Sequence, residues 1–190
     1  MSDHYHFKIH KPFGVISQFI HKGKRRKEVL SQFHDFPEGT MAIGRLDEQS
    51  EGLLLLTTDG QTSENVRRKT VEKEYYVQVD GTPDEFALLQ LQNGVEIGIK
   101  GEKYKTLPCF AKAIEDPVNF PPRIKKIRDD RHGPTSWLSI TITEGKYRQV
   151  RKMTAAVGHA TLRLVRVRIG DITLGNMKAG AVEAFDPEKV

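Results

Sequence analysis

The chain has 190 residues, enough to bury a core as one domain or two small ones. Thirty basic against 25 acidic side chains leave a charge of +5, which favours an acidic partner without requiring one. Cys109 is the single cysteine, which excludes an intramolecular disulfide; with no signal-like apolar run in MSDHYHFKIHKP and no stretch of membrane-spanning length, the reading is a soluble cytoplasmic protein.

In chain order, alternation through Phe7 and Ile9 predicts a strand, bent by Pro12 and Gly14 before Val15 and Ile16. HKGKRRK, residues 21–27, reads as a basic exposed loop, followed by a short helix over Lys27–Phe33 with Leu30 and Phe33 inward. MAIGRLD is a strand running into a turn, and Leu53–Thr57 is a core strand. Asp59–Gly60 forms a turn before a short polar helix over Thr62–Arg68. KEYYVQVDG is a strand with Tyr75, Val77 and Val79 on one face. TPDEFALLQLQNG is a helix capped by Thr82, with Pro83 at its first position, Glu85 in a capping box, an apolar stripe of Phe86 and Leu89, and Gly94 as its stop. Short strands and turns follow to Glu115, then an exposed loop over 115–134 rich in Pro, Gly and charge. WLSITITEG returns to strand, RQVRKMTAAVGH to helix closing at Gly158, and ATLRLVRVRIGDITL to one or two strands. The tail from Gly180 joins or covers the core. The mixture predicts an α+β fold with a mixed, largely antiparallel bent sheet and flanking helices around a central cleft, one catalytic domain of two subdomains over 1–190.

Chemistry concentrates in GRLDEQSEGLLLLTTDG, where Arg45 and Asp47 precede an apolar strand. An aspartate can act as a nucleophile without metal or cofactor. Its structural alternative is a cap on the Asp-Glu-Gln-Ser turn. Arg45 is either a phosphate or base contact or a surface arginine, and Tyr75 either a pocket ring or a core aromatic with a satisfied hydroxyl. Arg148 and Arg151, three apart, share a helix face that either meets Asp47 or a phosphate, or is simply solvated; Lys152 adjoins it. Arg166 and Arg168 share a strand face with Arg163 opposite, either following an RNA backbone or forming the wet side of a sheet. The histidines have no metal-ligand spacing, and no Walker or dinucleotide glycine pattern occurs.

Four motifs recur in order: KPFG at Lys11–Gly14, GRLDEQSEGLLLLTTDG, KEYYVQVDG and EGKYRQVRKMTAAVGHATLRLVRVRIG. From about Phe7 to Gly175 the chain thus resembles the ribosomal pseudouridine synthases of the small-subunit enzyme type. FGVISQF, NFPPRIKKIR and PTSWLSIT carry the likeness toward members acting on the large subunit. The resemblance implies the pseudouridine synthase catalytic fold, with Asp47 as catalytic aspartate and Tyr75 as active-site tyrosine of the motif opened by Lys73. It also implies Arg151 as the basic partner of the carboxylate, Val150 as its apolar neighbour in the pocket, and Arg45 as the residue holding the target nucleotide out of its helix. Arg148, Lys152, Arg166 and Arg168 are expected RNA contacts. No cofactor and no metal is implied; the expected partner is large-subunit ribosomal RNA, met by a monomer without any membrane.

The chain departs from the family pattern twice. Only ten residues precede KPFG, where many relatives carry a separate RNA-binding domain, so RNA grip is expected from HKGKRRK, the 121–131 loop and the Arg163–Arg168 strand. The usual Gly-Arg-Asn-Arg-Gln reads here Gly145-Lys146-Tyr147-Arg148-Gln149, which trades a small amide for an aromatic ring. The rival readings are a non-catalytic RNA-binding or ribosome-assembly protein, an enzyme for small-subunit RNA, and a metal-dependent nuclease.

Overall fold

Strand β1 (His6–Lys11) forms where a strand is expected, although Ile9, His10 and Lys11 are all buried rather than alternating, and it opens the first of two units into which the chain's contacts divide, residues up to Val71 with Arg166–Val190 in one and Glu72–Val165 in the other. The computed structural model describes residues 4–68, 70–117, 120–123, 125–128 and 130–190.

In the first unit, β1 is followed by an extended segment rather than the predicted helix over Lys27–Phe33. Val15 bridges Glu28, and Ile16 N and Leu30 N donate to Glu28 O and Gln18 O, so only Leu30–Gln32 remains to form a single 3₁₀ turn. Leu30 is buried there as expected, while Phe33 is only partly covered. Strand β2 (Met41–Ala42) pairs with β3 (Glu51–Thr57), all seven residues of which are buried. A strand covered on both faces has no polar side to show, hence its leucine run. Helix α1 (Gly60–Val66) begins two residues earlier than predicted because Asp59 is its N-cap, accepting from Gln61 N and Thr62 N. Antiparallel order within this unit is β11–β1–β3, where β11 is Val182–Ala184, with His6 opposite Thr57 and Ile9 opposite Val182.

In the second unit, β4 (Lys73–Asp80) buries Tyr75, Val77 and Val79 on one face, as their spacing requires. Helix α2 (Glu85–Asn93) is capped by Asp84, whose Oδ1 accepts from Ala87 N at 2.8 Å, and not by Thr82. Its inner face is Ala87 and Leu91, four apart; the predicted stripe lies outside, with Phe86 67% and Leu89 53% exposed. Gly94 ends the helix at φ 84°, and a side chain there would meet Thr106 O at 2.2 Å, so only glycine fits. A hairpin of β5 (Glu96–Ile99) and β6 (Glu102–Lys105) stands apart from the antiparallel order β4–β8–β7 formed with β7 (Phe110–Ile114) and β8 (Thr135–Ile142). Cys109 joins α2 to this sheet: its N donates to Gln92 O and its Sγ to Leu91 O, while Gln92 Nε2 donates to Ala111 O. Helix α3 (Gln149–Ala156) closes through Gly158 at φ 90°. Strand β9 (Thr161–Ile169) leads back into the first unit, where β10 (Ile172–Thr173) pairs with its end and β11 (Val182–Ala184) with β1. Helices set beside an antiparallel sheet make this an α+β fold.

Candidate active site

The first unit fixes the backbone on both sides of Asp47. Ser17 Oγ donates to Leu46 O at 2.8 Å and accepts from Leu46 N at 3.0 Å, and Gly14 N donates to Glu48 O at 2.8 Å. Ser50 N donates to Asp47 O at 2.9 Å, so the turn predicted here is closed by the backbone carbonyl of Asp47. Lys27 forms an ion pair with Glu48 on the outer side. Asp47 itself is partly exposed and Arg45 is exposed, while Leu46, Ser50 and Glu51 are buried around them. The KPFG and GRLD motifs are thus one structural object, a carboxylate on a turn clamped by the Gly14–Ser17 segment.

Lys11 is a residue to which the sequence assigned no task. It is 0% exposed, and its Nζ donates to Pro12 O at 3.0 Å and Val15 O at 2.6 Å. Burial pushes its ammonium down to about 7, opposed by the nearby Glu51, Asp47 and Glu48 carboxylates and assisted by Arg166. Period-two spacing was the available signal, since Phe7, Ile9 and Lys11 share a strand face. Arg163 and Arg166 are each 6% exposed, so this row is not the wet side of a sheet. Arg166 Nε donates to Leu53 O at 2.8 Å, and the half-buried Arg168 donates to Gly170 O at 2.9 Å.

In the second unit, Tyr75 lies opposite Ile140 and is buried, and Lys73 Nζ donates to Thr143 O at 3.1 Å. Arg148 is not within the helix that carries Arg151. It is the residue before α3, in left-handed conformation at φ 52° and ψ 34°, so the periodicity of the helix does not set its direction. Such a conformation in a non-glycine residue must be held by its surroundings. The segment just before α3 is braced by the buried Glu144, which accepts from Leu107 N at 2.8 Å, from Gln149 Nε2 at 2.6 Å and from the Tyr104 hydroxyl. Gln149 Oε1 in turn accepts from Lys146 N at 2.9 Å. Val150 is buried, and Arg151 and Lys152 are partly exposed. Lys152 Nζ donates to Gly98 O at 2.6 Å, tying α3 to the β5–β6 hairpin.

The 121–131 loop is less available than its charge suggests. Arg123 donates to Lys125 O and Leu162 O, Arg128 forms an ion pair with Asp80, and Arg163 Nη2 donates to Pro121 O. The hydrogen bond from Arg128 holds the Asp80 carboxyl below its usual range. Positions 124 and 129 of this expected RNA contact lie outside the described residues. Loop 21–27 is exposed at Lys22, Lys24, Arg25 and Arg26. Among the described residues no group of three or more His, Cys, Asp or Glu side chains could hold a metal, and no helix is long and apolar enough to cross a membrane.

An ordered carboxylate turn in one unit, and a buried tyrosine with a pinned Gln-Val-Arg helix in the other, carry the four motifs in an α+β frame. The family model described as RNA pseudouridylate synthase matches residues 5–156, and the chain belongs to that family, a family of isomerases. It is 40% identical over 184 residues to the ribosomal large subunit pseudouridine synthase E of Xanthomonas campestris pv. campestris, covering 96% of each chain. It is 42% identical over 174 residues to the protein of the same name from Vibrio parahaemolyticus serotype O3:K6, covering 90% of this chain and 70% of that one. A solved structure of a pseudouridylate synthase superimposes with a TM-score of 0.78 at 27% identity, over 100% of this chain and 74% of the other.

Proposed function

We propose that this chain isomerises one specific uridine of bacterial large-subunit (23S) ribosomal RNA to pseudouridine, as a cytoplasmic monomer that uses Asp47 and no cofactor. The observation that carries this reading is identity of 40% to 42%, over most of the chain, with relatives named for that subunit. In the reaction the Asp47 carboxylate attacks or otherwise activates the uridine, and the N1–C1′ bond breaks. The freed uracil turns in its pocket, C5 bonds to C1′, and the C5 proton is lost while N1 gains one. Tyr75 stacks on the base and Val150 lines its pocket, Arg151 supplies the counter-charge to the carboxylate, and Arg45 holds the extruded nucleotide. Extrusion costs a few kcal/mol of lost stacking, which contacts from Arg148, Lys152 and Arg168 help to offset. Arg166, being buried, serves this role through the strand it braces.

The test is pseudouridine mapping of both ribosomal RNAs from cells with and without the gene, complemented by wild type or by Asp47→Ala. Loss of one large-subunit site, restored by wild type and not by a folded D47A protein, is the expected outcome. Full restoration by D47A overturns the role of Asp47. An unchanged map in both RNAs overturns the substrate and leaves a binding-only protein as the better reading.

A further inference from the structure

Tyr147 stands where the family pattern has a small amide, and its surroundings give the exchange a purpose. The side chain is 68% exposed, yet the loop that carries it is held at both ends. On one side Lys146 N donates to Gln149 Oε1 at 2.9 Å, and Gln149 N donates back to Lys146 O at 3.1 Å. On the other, Arg148 is fixed in left-handed conformation, and its carbonyl accepts from Lys152 N at 3.1 Å in the first turn of α3. Beneath both lies the buried Glu144–Gln149 pair, at 2.6 Å. A ring left in solvent buries nothing in the free protein, and one carried on a backbone already ordered loses less entropy when a partner covers it.

The charge around the ring names the partner. The Lys152 ammonium lies 5.2 Å from the ring centroid and is itself anchored on Gly98 O. Lys146 and Arg148 flank the tyrosine in sequence, and no acidic residue occurs between Gly145 and Lys152. An exposed aromatic on a hydrogen-bonded loop, beside cations, is an arrangement on which unpaired bases stack while their phosphates meet the charges. We propose that Tyr147 is a stacking platform for an unpaired base of the RNA substrate, and so a specificity residue of this chain. The proposal rests on the RNA-modifying function argued above and extends it to a contact that an asparagine cannot make.

The experiment compares full-length wild type with Tyr147→Phe, Tyr147→Ala and Tyr147→Asn on ribosomal RNA isolated from cells lacking the gene. Pseudouridine formation is followed at limiting and saturating RNA, and binding is measured across a salt series. Loss of one stacked base raises KM about tenfold in Y147A and Y147N, with kcat little changed, and Y147F recovers the wild-type KM. Because stacking releases no counterions, the salt slope of binding stays parallel to wild type. A loop merely disturbed by the substitution would lower kcat as well, and that result overturns the proposal. So does Y147A with a wild-type KM, which is the behaviour of a tyrosine simply left in water. Wild type inactive on both ribosomal RNAs overturns the proposed function itself, and the stacking role with it; an active wild type confines any failure to Tyr147.

Discussion

Glu144 illustrates how much one side chain decides here. It is buried and accepts from a hydroxyl, a backbone amide and a side-chain amide, and the last of these fixes the start of α3. Glu144→Ala would leave all three donors without an acceptor, a loss of about 2–4 kcal/mol on the usual cost of unsatisfied buried groups. Urea denaturation measures it, and Glu144→Gln, which keeps one acceptor oxygen, is expected to lose less. Such a residue was not legible in the sequence. Its partners Tyr104 and Leu107 lie 40 and 37 positions away, and nothing local distinguishes it from a loop carboxylate. The turn that carries Asp47 was legible, because a polar Asp-Glu-Gln-Ser run stands directly before an apolar strand. Lys11 sat inside a recognised motif, but its burial follows only when the strand's alternation is extended through it. The backbone of Arg148 was misjudged because its spacing to Arg151 suits a helix, while the helix starts one residue later.

At the scale of elements, helix α1 depends on the carboxyl of Asp59. Hydrogen bonds from the Thr62 hydroxyl and amide, followed in weight by the Gln61 amide, hold it down to about 2 from an ordinary 3.8. The unfolded chain therefore takes up this proton first as acid is added. The stabilisation is full above pH 3.8 and is lost as pH falls toward 2. Thermal melts at pH 5 and pH 2.5 should show a smaller gap between wild type and Asp59→Ala at the lower value; a gap that does not change removes the carboxylate from the account. Strands were the most legible elements, since alternation in β4 and the leucine run of β3 each follow from which faces are covered. Helix α2 is legible, but its cap is Asp84 and not Thr82, and the stripe of Phe86 and Leu89 does not mark the face that is buried. Thr82 and Asp84 both suit a cap, and only packing selects Ala87 and Leu91 over the larger Phe86 and Leu89.

For the whole molecule, the excess of positive charge has a measurable signature. Lys22, Lys24, Arg25 and Arg26 are exposed on one loop. Each phosphate contact contributes roughly 0.7–0.9 to the slope of log affinity against log salt, so changing all four to Gln should flatten the slope by about three if the loop grips RNA. A slope unchanged between 50 and 200 mM salt, about the range over which such effects are large, assigns the grip elsewhere. The lone thiol answers a different question. Cys109 is pushed up to about 11 from 9.0, chiefly by burial, while it donates to Leu91 O across the junction of α2 and β7. Near neutral pH the folded protein therefore offers roughly a hundredth of the thiolate that the unlocked segment would. The chain carries its own reporter: Cys109 is partly covered and its thiolate scarce, so alkylation there quickens when helix and strand part, with no label added and no other sulfhydryl to confuse the reading.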